Sequence, residues 1–167
     1  MTTDIKIAEN ISNGLTKEDQ KNVIEVLVSV LADQHVLYVK LRNFHWNLKG
    51  ARFHSLHEFF EQQYTALEKA IDETAERIRM LGGVAPGSMS EFLSAATLKE
   101  AAGNIIDGDD AISSLVTDNE TVIRFLREKS GMVEDDFNDV ATADFLVELL
   151  QKHEQDAWML RSFSEIS

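Results

Sequence analysis

The sequence predicts an all-α protein: a bundle of four long helices, built as two helical hairpins that one long crossover connects. The first observation is composition, because strong helix formers dominate the 167 residues and the single proline, Pro86, lies in a predicted connection. The second is periodicity, because apolar residues recur at three- and four-residue spacings in four long segments. The third is size, since a chain of this length with 44% hydrophobic residues can bury one core without disulfides.

The first predicted helix begins at Thr16 and runs to about Leu48. Thr16 and Asp19 form the T-x-x-D pattern of an N-terminal cap. The apolar stripe of this helix consists of Val23, Leu27, Val30, Leu37, Leu41, Phe44 and Leu48. Residues 1–15 are predicted to be a short flexible tail, so the bundle domain covers residues 16–167.

The second predicted helix runs from about Phe53 to Leu81, after a short connection that Gly50 opens. Gly82 and Gly83 provide its stop signal, since glycine readily adopts the left-handed conformation that ends helices. Its inward-facing residues are Leu56, Phe60, Leu67, Ile71, Ile78 and Leu81. The short connection predicts that the first two helices form an antiparallel hairpin.

Between residues 82 and 108 the helical pattern breaks, and this segment is long enough to cross the length of a bundle. Within it, the stretch SEFLSAA predicts a short helix. A third long helix is predicted over residues 109–129, ending at Gly131, and a fourth over residues 139–163. The stripe of the fourth consists of Ala143, Leu146, Leu150, His153, Ala157 and Leu160. Two hairpins joined by one long crossover are the arrangement of ferritin-like four-helix bundles.

The charge of the chain favours cationic ligands. Its 29 Asp and Glu residues outnumber the 16 Lys and Arg residues, and the resulting formal charge of −13 disfavours direct contact with nucleic acid or anionic lipid. Because the chain has no cysteine, any metal ion must be bound by His, Asp or Glu. The sequence shows neither a secretory signal nor a membrane span, so we expect a cytoplasmic protein without a membrane partner.

A ferritin-like bundle commonly holds a two-iron site inside one chain, built with Glu-x-x-His because residues three apart point the same way. The five histidines of this chain stand at positions 35, 45, 54, 57 and 153. The residues three positions before them are Ala32, Arg42, Ala51, His54 and Leu150. None of these is a carboxylate, so we expect any metal site to lie elsewhere.

The second helix carries a polar edge beside its apolar stripe, consisting of His57, Glu61, Tyr64, Glu68, Asp72 and Glu76. Asp72 and Glu76 form an i, i+4 carboxylate pair suited to binding a cation. His57 and Asp72 lie about 22 Å apart along the helix axis, too far to share a metal ion within one chain. Antiparallel pairing of two copies about a two-fold axis near Tyr64 or Thr65 would bring them together.

In such a pair each chain would supply one half of a metal site, and His45 can belong to the same half as His57. The turn at Gly50 can fold the end of the first helix beside the start of the second, where His57 lies. Simpler interpretations remain open: His45 as a hydrogen-bonded core residue, Trp46 as bundle packing, and the carboxylate pair as a solvated surface.

The other histidines have alternative roles. His54 and His57 form an i, i+3 pair and therefore a rival metal site. His153 lies on an apolar stripe and is expected to be structural, whereas His35 is expected at an edge or on the surface.

The stretch NFHWNLKGARFHSLHEFFEQQY, followed by DETAER and LGG, closely resembles the Dps family of ferritin-like proteins. In that family two histidines and two acidic residues, spaced by 12, 15 and 4, form a ferroxidase site at a two-fold interface; here His45, His57, Asp72 and Glu76 have this spacing. The resemblance implies a hollow homododecamer that oxidises ferrous iron, preferentially with hydrogen peroxide, and stores ferric mineral. It implies up to two iron ions per site, with zinc or manganese as substitutes.

Further residues gain expected roles from the resemblance. Glu61 would help to bind a second iron, and Arg42 would orient Asp72 or Glu76, although both could be ordinary surface charges. Trp46 would donate an electron when oxidation goes astray. Asp139 and Asp144 would line the three-fold pores through which iron enters, with helix capping as the alternative for Asp139.

DNA binding is not expected, despite the family's name. Such binding usually depends on a lysine-rich tail that neutralises phosphates, and residues 1–15 contain only Lys6 against Asp4 and Glu9. The C-terminal RSFSEIS is not basic either. The alternatives to a ferroxidase are a nucleoid-compacting protein, which would need a basic surface, and a scaffold bundle without redox chemistry.

Overall fold

The computed structural model describes residues 5–8 and 11–163, and it confirms the all-α, ferritin-like bundle. In this part of the chain the helices are α1 (Lys17–Asn47), α2 (Phe53–Met80), α3 (Met89–Ala95), α4 (Gly108–Asp135) and α5 (Val140–Phe163). Two short strands, β1 (Leu48–Lys49) and β2 (Ile106–Asp107), pair in parallel. The α1–α2 hairpin packs against the α4–α5 hairpin, and α3 lies in the crossover between them.

Helix α1 is the central helix of the core. Thr16 is its N-cap and accepts a hydrogen bond from the backbone N–H of Asp19 at 3.0 Å, as predicted. All residues of its predicted stripe are buried, and so are Val26, Val28 and Ala32, because α1 contacts α2, α3 and α4. By length and composition α1 could span a membrane, but 67% of its most apolar stretch is buried inside the bundle. Its apolar surface is therefore used in packing.

Buried polar side chains of α1 form hydrogen bonds with the crossover segment and hold it against the helix. Both oxygens of the Asp33 carboxylate accept hydrogen bonds, at 2.6 Å from the Thr97 N–H, 2.6 Å from the Thr97 hydroxyl and 2.9 Å from the Leu98 N–H. Farther along α1, the Asn43 amide donates to the carbonyls of residues 101 and 102. The predicted short helix is confirmed as α3, which begins with a capping box of Ser88 and Glu91. The crossover thus has defined anchors along α1.

The pairing of β1 with β2 was not predicted from the sequence. Leu48 lies opposite Ile106, just before the turn in which Gly50 has a φ of 109°. These strands are only two residues long, which is too short for a recognisable alternating pattern. The pairing holds the α1–α2 turn against the start of α4, and this turn positions the candidate site.

The boundaries of the second hairpin differ from the prediction. The expectation that the third long helix ends at Gly131 is wrong, since α4 continues through this glycine. Val133 beyond it is fully buried, and this packing outweighs the cost of about 1 kcal/mol for glycine inside a helix. Helix α5 begins at Val140, where the Asp139 carboxylate accepts the N–H of Thr142 at 3.0 Å. The predicted stripe of α5 is buried throughout.

Part of the predicted flexible tail is paired with the bundle. The backbone N–H of Ala8 donates to the Gly82 carbonyl at 2.8 Å, and the N–H of Val84 donates to the Lys6 carbonyl at 2.9 Å. Residues 6–8 therefore run antiparallel to the loop that follows α2. Residues 1–4 and 9–10 lie outside the described part of the chain.

Replacing Gly82 by alanine is expected to lower the free energy of unfolding by about 1 kcal/mol. Gly82 has a φ of 80° and ends α2 with two hydrogen bonds, from its own N–H to the Arg79 carbonyl and from the Gly83 N–H to the Ile78 carbonyl. A Cβ is strained in that conformation. Urea unfolding at fixed protein concentration measures the effect. The matched control is Gly87→Ala. Gly87 has a negative φ and an added Cβ would meet open space, so this variant should keep the free energy of unfolding of wild type.

Candidate metal centre

His45, in the last turn of α1, and His57, in the first turns of α2, lie face to face. Their ring centroids are 3.6 Å apart and their planes are inclined by 16°. The turn at Gly50 produces this contact by returning the chain directly beside the end of α1. The structure therefore brings together the two histidines that the sequence predicts for one half-site.

A reciprocal pair of hydrogen bonds fixes both imidazoles. The Nδ1 of His45 lies 2.8 Å from the His57 carbonyl oxygen, and the Nδ1 of His57 lies 2.9 Å from the His45 carbonyl oxygen. A carbonyl can only accept, so each Nδ1 carries the proton and donates it. In the neutral imidazole Nε2 then carries the lone pair, and this tautomer is the form of histidine that binds a metal ion through Nε2. Neither the sequence pattern nor the spacing shows these hydrogen bonds.

Aromatic side chains surround the histidine pair. Phe53 stacks on His57 with 5.0 Å between centroids, and Tyr64 meets His45 edge-on at 5.3 Å. Burial, together with the neighbouring Glu61 carboxylate, raises the pKa of Tyr64. Glu61 itself is exposed, one turn after His57. The two rings therefore pack against the histidine pair, whereas Glu61 lies in solvent beside it.

Arg42 lies among three aromatic rings. Its guanidinium carbon is 5.1 Å from the Trp46 ring centroid, 5.3 Å from that of Tyr64 and 5.6 Å from that of Tyr38. Its Nη1 donates a 2.8 Å hydrogen bond to the Tyr38 hydroxyl. Within the described part of a single chain, this arginine does not bond to the acidic pair of α2. Trp46 is 63% exposed, although its ring lies against the guanidinium of Arg42.

Asp72 and Glu76 are exposed on α2, far along the helix from the histidines. Asp72 lines an open groove between α1, α2 and the crossover, together with His35 and Phe92. Among the described residues, no three His, Asp or Glu side chains gather closely enough to bind a metal ion. One chain therefore contains two separate halves of the predicted ligand set.

Of the four remaining candidates, His35, His54 and Asp139 contact other residues of the same chain. His54 is exposed and lies 3.4 Å from Glu58, while the ring of His35 stacks on Phe92 at 3.6 Å between centroids. The Asp139 carboxylate caps α5 and also accepts from the Arg77 guanidinium at 3.3 Å. Asp144, in contrast, is exposed.

The middle of the bundle holds an ion pair that the sequence did not indicate. The Lys40 ammonium lies 2.6 Å from an Asp118 carboxylate oxygen, and both residues are buried. Burial raises the pKa of Asp118, and the Lys40 partner opposes part of that change. Spacing could not reveal this pair, because its members are separated by 78 positions in sequence.

Comparison with known proteins identifies the family to which the chain is related. The Ferritin-like domain family matches residues 24–166. A low temperature-induced protein of Nostoc sp. is 46% identical over 93% of this chain and 87% of its own length. DNA protection during starvation protein 2 of Bacillus anthracis is 41% identical over 86% of this chain and 97% of its own.

Solved structures show the same relationship. The Dps protein from Vibrio cholerae O1, described as a member of a broad superfamily of ferritin-like diiron-carboxylate proteins, superposes with a TM-score of 0.86 at 31% identity. The match covers 93% of this chain and 96% of that chain. With the family match over most of its length and a histidine pair at the α1–α2 turn, this chain belongs to the ferritin-like domain family and, within it, to the Dps proteins.

Proposed function

We propose that two copies of this chain pair antiparallel along α2 and form ferroxidase sites between them. Each site takes the histidine pair of one copy and the carboxylate pair, Asp72 and Glu76, of the other. The substrate is ferrous iron, the preferred oxidant is hydrogen peroxide, and the product is stored as ferric mineral. This activity would protect the cytoplasm against oxidative damage.

The observation that carries the proposal is the reciprocal hydrogen bonding of His45 and His57. A stacked pair of histidines that only packed in the core would not need both Nε2 atoms left free. The exposed Asp72 and Glu76 supply the hard oxygen donors and the negative charge that such a half-site lacks. Membership in the Dps proteins supports iron chemistry in general terms.

The donor set suits two-electron reduction of peroxide. Two ferrous ions each lose one electron, while one hydrogen peroxide accepts both electrons and two protons and gives two waters, so no hydroxyl radical is released. So few protein ligands leave positions open for water and peroxide. Glu61 would help to hold a second ferrous ion, and Trp46, exposed beside Arg42, would supply an electron if a radical formed. Zinc or manganese could occupy the same donors.

The cage completes the proposed function. We expect twelve copies to enclose a hollow interior, with Arg42 reaching the acidic pair only across the two-fold interface. Asp144 is the better of the two predicted pore residues, because it is exposed whereas the Asp139 carboxylate is occupied at the start of α5. A formal charge of −13 disfavours contact with DNA phosphates, so direct DNA binding is not part of the proposal.

Asp72→Ala is expected to reduce peroxide-driven ferrous oxidation to the rate in protein-free buffer. The purified oligomer is loaded anaerobically with ferrous iron, peroxide is added, and ferric absorbance and hydroxyl radical are followed. Glu148→Ala is the control, because Glu148 is an exposed carboxylate on α5 that neither half of the site uses. Wild-type protein that oxidises iron no faster than buffer would leave only a scaffold without redox chemistry.

A further inference from the structure

A cavity of about 210 Å³ lies between the two hairpins, where α2 faces α5. It shares no lining residue with the histidine pair and lies on the other side of α2 from the exposed Asp72 and Glu76. Its walls are mainly apolar, and polar side chains enter it from α2, α4 and α5: Gln63, Asn119, His153 and Asp156. A space of this size holds an ion together with several water molecules.

Gln63 is the unexplained group in this cavity. The residue is only 7% exposed, and neither its Oε1 nor its Nε2 has a hydrogen-bond partner in the described part of the chain. Buried amides in folded proteins are almost always bonded to protein, water or a ligand. The carboxamide therefore indicates that something polar occupies the space beside it.

His153 is held in the form that binds a metal ion. The Asn119 amide donates through Nδ2 to the Leu115 carbonyl at 2.8 Å, so its Oδ1 must accept. That oxygen lies 2.8 Å from the Nδ1 of His153, which therefore carries the proton and leaves Nε2 with its lone pair. Burial lowers the pKa of His153 to about 4, with the Lys152 charge adding to the effect, so the ring is neutral.

Asp156 follows His153 by three positions and so lies on the same face of α5. Burial raises the pKa of Asp156 to about 6, and the neighbouring Gln63 amide offsets part of this shift, although the contact between them falls outside the geometry of a full hydrogen bond. Among the described residues no Lys, Arg or His forms an ion pair with this carboxylate. Lys152 also lines the cavity.

We propose that this cavity binds one divalent transition-metal cation inside each chain, through the His153 Nε2, the Asp156 carboxylate and the Gln63 Oε1. One imidazole nitrogen and two oxygens suit borderline cations such as zinc, cobalt, manganese and ferrous iron. Water molecules complete the coordination. The cation neutralises the half-buried Asp156 carboxylate, which water alone would not do, and it satisfies the orphaned amide oxygen. The Asn119 amide holds the imidazole in position, as outer partners of metal-bound histidines commonly do.

The test is cobalt binding to the purified oligomer, measured by equilibrium dialysis and by visible absorbance of the bound ion. Wild-type protein should bind one more cobalt ion per chain than Asp156→Asn or Gln63→Leu. The control Glu148→Gln removes one exposed charge from the same helix and should bind as wild type does. Cobalt should also raise the melting temperature of wild type and of Glu148→Gln by more than that of Asp156→Asn, which keeps only the interfacial site.

The proposed cation site in the cavity, here called the inner site, and the proposed ferroxidase site are tested independently of each other. Asp72→Asn should keep the inner cobalt ion, and Asp156→Asn should keep ferrous oxidation. Equal cobalt stoichiometry in wild type, Asp156→Asn and Gln63→Leu would overturn the proposal and leave a cavity that holds only water. If Asp156→Asn does not assemble, Gln63→Leu decides the question, because leucine fills similar volume without a donor oxygen.

Discussion

Co-expression of His57→Ala chains with Asp72→Ala chains is expected to restore ferrous oxidation that neither variant has alone. In a two-fold pair of one chain of each kind, one site lacks both residues and the other is intact. Random pairing makes half of the pairs mixed, so about a quarter of all sites should be active. Because neither variant alone should oxidise ferrous iron faster than buffer does, the rate recovered in the mixture is the largest effect that we expect.

Peroxide-driven ferric absorbance of the co-purified oligomer measures the restoration, and tags of different size confirm that both chains are present. The matched control mixes His57→Ala with His45→Ala chains, whose mutations fall in the same half-site. Every site then lacks one histidine, and activity should stay at the level of buffer. Restoration in the control, or none in the test mixture, would contradict a site shared between two chains.

Lys40→Met is expected to lower the free energy of unfolding by about 3 kcal/mol at neutral pH, because it leaves the Asp118 carboxylate buried without its cation. Methionine keeps most of the volume, so the loss reports the charge rather than a cavity. Chemical unfolding at fixed protein concentration, followed by circular dichroism, measures the difference from wild type.

The effect should depend on pH with a definite sign. Burial already raises the folded-state pKa of Asp118, and removal of Lys40 raises it further. When the pKa of a carboxyl group is higher in the folded state than in the unfolded state, the folded protein loses stability as pH rises from the unfolded-state pKa to the folded-state pKa. The penalty of Lys40→Met should therefore shrink at acidic pH. The double variant Lys40→Met with Asp118→Leu should recover most of the loss, and a penalty that is the same in both variants would rule out the charge as its cause.

Local sequence signals predicted most of the helical framework. Capping at Thr16, the glycines after α2 and the apolar stripes gave helix limits within a residue or two for α1, α2 and α5. The end of α4 was misjudged, because Gly131 carries a local stop signal whereas the burial of Val133 depends on the opposing helix. The short β1–β2 pair was missed, because its partners lie far apart in sequence.

The sequence by itself determined which residues can form the candidate ferroxidase site and that one chain cannot complete it, because helical rise places His57 and Asp72 about 22 Å apart along α2. Only the tertiary structure decided how those residues are presented. The α1–α2 turn directs each Nδ1 to the carbonyl of the other histidine, and Arg77 and Thr142 engage Asp139. The Lys40–Asp118 pair and the Gln63 cavity likewise exist only when both hairpins pack, since burial is a property of contacts between distant segments.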